Sequence, residues 1–396
     1  MTNTLGNYVA TIYANQVLNF LTQRLGLANR VHRGFDLSRT VDRGDTIKIR
    51  RPQIVPATAM PASATALVPD NVTINMNRWF GNTIEVTDKE YSQAAEGLIP
   101  EHLPSLAYGV AKAIDSDLVS LITTVPHVYT AAAATVAVAD VLGVQRKLID
   151  LACDTEDTAN MFGMVGAQEN ADLLALGNFS GWNAGGPAQQ TTLMSGAIGQ
   201  RYGFNFHVNQ QRGTVAYADV TDFAGTITEP AAKGATSITV GGLGTSEVYN
   251  KGTLIKFDVS GHEYAITADA TMSSGAAVVA INPPIRVAEL DNAAITVGKT
   301  QGESTPNQDN VTRNANVFYH REWAALAMGR LPDYAAFADM KAAQIASVQE
   351  PVTGLSVRTR IGYDFANAKV LVGCDALWGF AELNGDMACR LEIAGT

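Results

Sequence analysis

Lys233-Gly234-Ala235-Thr236-Ser237-Ile238-Thr239-Val240-Gly241-Gly242-Leu243-Gly244 reads as one short β-strand running into a tight turn. Ser237 to Val240 alternates polar with apolar residues, the period of a half-buried strand, and the glycines then break it. Runs of the same kind follow at Leu254–Phe257, Glu263–Ala268, Ala277–Ile281 and Ala294–Val297. Lys251-Gly252, Ser260-Gly261 and Asn282-Pro283-Pro284 separate them. Short strands at this spacing imply a small barrel or sandwich. No helix follows the glycine-rich turn, so it reads as a β-turn and not as a phosphate loop. Residues 219–300 are therefore expected to form one compact all-β unit.

Outside that unit the periodicity differs on both sides. Leu5, Val9, Ile12, Tyr13, Val17, Phe20 and Leu21 recur near helical spacing and predict an amphipathic N-terminal helix. Thr46–Arg50, Val72–Met76 and Thr83–Thr87 alternate as strands, with Pro52, Pro56, Pro61 and Pro69 between them. Residues 40–90 are read as a long β-hairpin with an extended loop and too little local core to be stable alone. A long helix is expected from a Ser105 cap after Pro104 to Val125, its stripe running through Leu106, Val110, Ile114 and Leu118. Lys112, Asp115 and Ser116 are placed off that stripe.

Asp140 is expected to cap a second helix carrying Val141, Val144 and Leu148, and a weaker helix is expected over Glu169–Leu176. Gly177 to Gly203 reads as loops. Mixed helix and strand patterning resumes at Val317–Met328 and Tyr334–Ser347, followed by Leu355–Ile361, Lys369–Val372 and Arg390–Ile393. An all-β unit between two α+β segments is most simply an insertion into a loop of one host domain.

Chemistry is sparse. There is no GxxxxGK[ST], no GxGxxG after a strand, no HExxH and no GxSxG. The six histidines stand singly, and His320-Arg321-Glu322 reads as a strand-edge surface rather than a dyad. Asp115 and Asp117 lie about 200° apart around a helix, which makes them poor partners for acid–base work. Cys153, Cys374 and Cys389 cannot all pair and have no CxxC spacing, against a disulfide framework or a zinc site. No catalytic, cofactor-binding or metal-binding residue is expected, and no cofactor. Met1 to Asn15 lacks the features of a secretory signal, and Tyr129–Ala139 is too short to span a bilayer.

Charge is more informative. With 46% apolar and 17% charged residues the chain can bury a core, and its net charge of −10 excludes coating nucleic acid with its whole surface. Between Arg24 and Arg51, however, eight basic residues face three acids, a local +5. That segment is either a solvated strand edge or an arm docking on an acidic neighbour of the same kind. The candidate inter-subunit contacts are Arg39, Arg43, Lys48, Arg50 and Arg51.

The order of parts resembles the major capsid proteins of tailed bacteriophages, the Hong Kong phage capsid fold shared with herpesviruses, in the branch carrying an inserted β-barrel. The residues behind the likeness are Val41-Asp42-Arg43-Gly44-Asp45-Thr46-Ile47 and Ala111-Lys112-Ala113-Ile114-Asp115-Ser116-Asp117-Leu118. To these add Lys233 to Val240 and the tail from Gly354-Leu355-Ser356-Val357-Arg358 through Leu371 to Gly379. The resemblance implies an α+β fold with 1–39 as N-terminal arm, 40–90 as E-loop and 91–125 as peripheral domain with spine helix. Residues 126–218 would begin the axial domain, 219–300 would be the inserted barrel, and 301–396 would complete the axial and peripheral domains. It further implies a non-enzymatic subunit that self-assembles as hexamers and pentamers into an icosahedral head. The implied partners are itself, a scaffolding protein, a portal and a decoration protein. The shell would enclose double-stranded DNA without sequence-specific binding, and no membrane is involved. The implied location is the virion, after synthesis in the host bacterial cytoplasm. No lysine–asparagine pair for covalent cross-linking can be placed. The alternatives are an encapsulin-like compartment shell, which the inserted barrel disfavours, and an extracellular β-rich adhesin or carbohydrate-active protein.

Overall fold

A computed structural model describes residues 6–33, 46–51, 70–93, 98–131, 133–180, 195–217, 223–298, 312–332, 343–349 and 354–394. The chain folds as two compact units, Met1–Asp117 with Ala324–Leu383, and Leu118–Trp323 with Asn384–Thr396.

The first unit is built on a five-stranded sheet around the long strand Lys369–Glu382. That strand pairs antiparallel with Arg78–Thr87, Ser356–Asp364 and Ala324–Gly329, and Ala343–Gln349 extends the sheet beyond Ser356–Asp364. The N-terminal helix, Gly6–Arg24, lays Ala14 against Ala346, Val348 and Ile361. Its buried line is Ala14, Val17 and Leu21, whereas Ile12 is exposed, so the stripe lies rotated from the one the sequence predicts. A methyl at position 14 lets helix and sheet approach closely, which a count of large apolar residues does not register.

Two of the three strands read within 40–90 form a hairpin, while the third, Thr83–Thr87, lies instead in the strand Arg78–Thr87 of the five-stranded sheet. Thr46–Arg51 pairs with Asp70–Asn75 in the register Thr46↔Asn75 to Arg51↔Asp70. The hairpin's base lies on another part of the first unit, as an arm with too little local core requires: Ile74 and Met76 are buried against Ala325 and Ala327, with Ile47, Ile49 and Leu377 beside them. The loop with Pro52, Pro56, Pro61 and Pro69 lies outside the described residues.

The long helix is Leu98–Val119, so it begins before Pro104 and Ser105 is not its cap. Pro104 is the seventh residue, past the first turn where proline costs nothing, so the helix gives up one main-chain hydrogen bond there. Leu103, Leu106, Ala107, Val110 and Ile114 form the buried stripe. Asp115 also belongs to the buried side, contrary to expectation: its Oδ2 accepts the Gly26 N–H at 2.7 Å and its Oδ1 the Ala28 N–H at 3.0 Å. Burial pushes this carboxyl up in pKa, and the two backbone bonds only partly offset that.

The second unit joins a seven-stranded sheet to the barrel. Thr312–His320 pairs with Ala388–Ala394 and Met161–Val165, and parallel pairings add Val128–Thr130 and Phe204–Val208. The helix Val138–Asp150 packs Val141, Val144 and Leu148 into a core with Phe204, Phe318 and Leu391. Asp140 sits inside that helix and reaches back to the Ala137 N–H at 2.8 Å. It therefore serves the helix start from the third position rather than as the cap itself. The third helix, Ala167–Ala175, lies where expected.

Among the described residues from Thr312 onward the regular structure is strand, with short 3-10 turns such as Arg321–Trp323 and no α-helix. Ala324–Gly329, rich in helix formers, is a fully buried strand, because pairing and burial override local propensity. His320 is buried at the end of its strand rather than on a surface. Residues 333–342, which cover much of Tyr334–Ser347, lie outside the described residues.

Six antiparallel strands close the barrel in the order Ser237–Gly241, Ala277–Asn282, Glu263–Ile266, Leu254–Phe257, Ala294–Val297 and Ala224–Ile227. Alternate residues Ile238/Val240, Ile255/Phe257, Tyr264/Ile266, Val279/Ile281 and Ile295/Val297 fill the interior. On the other strand face, Leu254 and Ala265 pack on Val128 of the host sheet. Arg390, fully buried on a host strand, donates to the Gly252 carbonyl at 2.8 Å and the Thr123 carbonyl at 2.6 Å. Gly252 has φ +95, and an added Cβ would meet the Thr123 carbonyl at 2.9 Å, so a glycine is needed at this root.

Candidate assembly surface

Of the five basic candidates, Arg39 and Arg43 lie outside the described residues. Lys48 is exposed on the hairpin opposite Thr73, and Arg50 and Arg51 occupy strand positions opposite Asn71 and Asp70. The hairpin thus brings Lys48, Arg50 and Arg51 onto one six-residue strand.

A second feature of the first unit had no signal in the sequence beyond its own dipeptide. Trp79 and Phe80, on the strand Arg78–Thr87, are 60% and 46% exposed. Both are nonetheless held in place. The Trp79 indole N–H donates to Asp375 Oδ2 at 2.8 Å. Asp375 is fixed in turn by Arg358, whose Nε and Nη2 donate at 3.1 and 2.6 Å, and both of these charged groups are buried. The Arg358 guanidinium also lies 5.8 Å from the centre of the Trp79 ring. Phe80 rests on Trp378, with ring centroids 5.5 Å apart, and the Arg78 guanidinium lies 5.4 Å from its centre.

The strands can lie this close because Gly81 faces Asp375, where an added Cβ would fall 2.5 Å from the aspartate Cβ. Aromatic rings fixed by hydrogen bonds and cation–π contacts lose little freedom when another surface covers them. Such a pair can bury apolar area in an interface. It has no nucleophile or base to do chemistry. The only signal available beforehand was the dipeptide itself, and its partners Arg358 and Asp375 lie almost 300 positions away.

Among the described residues no group of His, Cys, Asp and Glu is placed to hold a metal ion, and no helix is long and apolar enough to cross a membrane. The three cysteines are buried, and burial first of all pushes the Cys153 thiol up to about 11 and those of Cys374 and Cys389 to about 12. They are poor nucleophiles.

No family model and no curated protein matches the chain. Solved structures do. The capsid asymmetric unit of cyanophage Pam1 is similar at 12% identity and TM-score 0.46, covering 94% of this chain and 93% of that one. The capsid of Ralstonia phage GP4 is similar at 8% identity and TM-score 0.46, covering 95% and 91%. The mature capsid of bacteriophage PhiM1 is similar at 9% identity and TM-score 0.46, covering 89% and 83%. Along most of its length, then, this chain is similar to chains of solved phage capsids that share few of its residues.

Proposed function

We propose that the chain is the major capsid protein of a tailed phage, assembling with copies of itself as hexamers and pentamers into the icosahedral head around double-stranded DNA. The observation that carries this reading is the order of parts in one chain. A hairpin whose base packs on a host sheet precedes a long helix, an α/β host domain and a closed barrel inserted between two of the host's paired strands. A hairpin with so little core of its own suits a subunit that buries further area against neighbours. The fixed, exposed Trp79 and Phe80 suit the same role, and the basic hairpin strand suits register-setting contacts with acidic neighbours.

In these terms 1–39 is the N-terminal arm, 40–90 the E-loop, and 91–125 the peripheral domain with its spine helix. Residues 126–218 and 301–396 supply the axial domain and complete the peripheral one, and 219–300 is the inserted domain. Scaffolding protein, portal and a decoration protein are the partners of such a shell, and the virion is its location. The subunit is structural and turns over no substrate.

Negative-stain microscopy and size-exclusion chromatography of the purified chain test the reading. Shells of tens of nanometres are expected, and a small soluble species under all assembly conditions would overturn it. Nuclease-protected DNA inside native particles then separates a genome-containing head from a shell that encloses cargo proteins.

A further inference from the structure

Five ionisable side chains meet where the barrel joins its host within the second unit. His127, which is buried, follows Pro126 just before the host strand Val128–Thr130. Its Nδ1 lies 3.3 Å from Glu263 Oε2, on a barrel strand, and its Nε2 lies 2.9 Å from Asp386 Oδ1, in the host turn Gly385–Met387. Lys147, buried on the helix Val138–Asp150, donates to the same Glu263 oxygen at 3.0 Å and to the Val128 carbonyl at 3.0 Å. Arg286 of the barrel donates to Asp386 Oδ1. Each carboxylate therefore has one permanent cation and shares His127 with the other.

Hydrogen-bond capacity decides what this arrangement needs. An ionised carboxylate only accepts, and a neutral imidazole carries one N–H. With both ring nitrogens facing carboxylate oxygens, the neutral ring serves one and turns a lone pair toward the other. Only the doubly protonated ring donates to both. His320 shows the contrast: its Nδ1 accepts the Glu322 N–H at 3.3 Å while its Nε2 faces Asp157 Oδ2 at 3.5 Å, so one ring proton suffices there.

Neither the two carboxyls nor the nearby thiol changes charge near neutral pH. Burial pushes Glu263 up, but His127 and Lys147 outweigh it and hold the carboxyl down at about 2. Asp386 is likewise pushed up by burial and held down by His127 and Arg286. Cys389, near Lys147 and Glu263, is raised by burial to about 12 and stays a thiol. The imidazole is thus the seam's one side chain of a type that changes charge in the neutral range.

We propose that His127 is a proton-dependent clasp between the inserted barrel and its host domain. Doubly protonated, it ties Glu263 of the barrel to Asp386 of the host. On losing one proton it releases one of them, and the barrel root loosens while the barrel's own core stays intact.

Amide hydrogen exchange on the full chain, corrected for the intrinsic dependence of exchange on pH, tests this from about pH 6 to 9. The seam is read on peptides covering 263–266 and 386–390, and the far barrel wall on 237–241. Seam protection is expected to fall about tenfold or more in step with the His127 titration followed by NMR, the size of one lost charge-assisted hydrogen bond. The far wall should not change. In Glu263→Gln the amide can donate to or accept from the neutral ring, so the fall should disappear. Should that variant fail to fold, His127→Gln, with no titrating ring, should give a flat profile. Seam protection that is level with pH in the natural chain, or an equal fall in either variant, would overturn the proposal.

Discussion

The Trp378 indole N–H donates to Asp117 Oδ2 at 2.9 Å, deep in the first unit. The same carboxylate takes Nε and Nη2 of Arg78 at 3.1 and 2.6 Å. One buried aspartate near the end of the long helix thereby fixes the central strand of the sheet and the strand that presents Trp79 and Phe80. Asp117→Ala should cost about 2–3 kcal/mol, chiefly because a buried indole N–H is left without its acceptor. Arg78 is exposed enough that water replaces most of its share. Asp117→Asn, which can still accept from the indole, should cost clearly less. Urea unfolding at constant slope measures both, and equal losses would show that the hydrogen bond is not the source.

Trp79→Ala separates folding from assembly. The side chain is mostly exposed and Asp375 keeps Arg358, so subunit stability should change by no more than about 1 kcal/mol. Shell yield should fall at least severalfold, since an aromatic anchor at an interface dominates its energetics. Sedimentation velocity under assembly conditions reads this, and shells at natural yield would remove Trp79 from the interface.

Acid should weaken the second unit through Glu263. Its folded carboxyl, at about 2, lies below the ordinary 4.5, so the unfolded chain binds more protons in between and stability falls as pH drops. The contribution is complete above about pH 4.5 and is lost as pH approaches 2, at a total of about 3 kcal/mol. Asp386 adds in the same direction. Stability measured by denaturant between pH 5 and 3 should therefore slope less steeply in Glu263→Gln than in the natural chain. Parallel slopes would mean that the carboxylate is not held by its neighbours.

Replacing Arg43, Arg50 and Arg51 together with glutamate should leave a folded subunit, because surface charges usually change stability by under about 0.5 kcal/mol each. Assembly should fail or yield aberrant forms, as like charges would then meet across the interface. Near-UV circular dichroism checks the fold and microscopy the shells. Normal shells would assign these arginines to solvent.

Much of this fold is local and could be read from the chain. Leu254–Phe257 and Ala294–Val297 are strands with the bounds their alternation predicts, and the hairpin follows its period of two. The barrel strand Ala224–Ile227 was missed because Gly225 weakens the pattern. That glycine is needed where an added Cβ would fall 2.8 Å from the Gly241 carbonyl. Asp115 reads as lying off the buried stripe, and Asp117 only as its poor acid–base partner, because their actual partners Gly26, Ala28, Arg78 and Trp378 are remote in sequence. His127 was one of six scattered histidines for the same reason, with Glu263 and Asp386 more than 100 positions away. Periodicity reports which face is buried, while the identity of a distant polar partner leaves no trace in a local window.

The two host strands that bracket the barrel pair directly with each other, Thr312↔Ala216 through Ala315↔Gly213. In an unstructured chain their meeting closes a loop of roughly 95 residues, a search whose entropy grows with the logarithm of its length. A barrel that folds first shortens the effective loop to about 20 residues and lowers the closure cost by about 1–2 kcal/mol. Distant host strands then become near neighbours along the path to the native state. A barrel that folds before its host would thereby offset most of the separation its insertion adds between these paired strands.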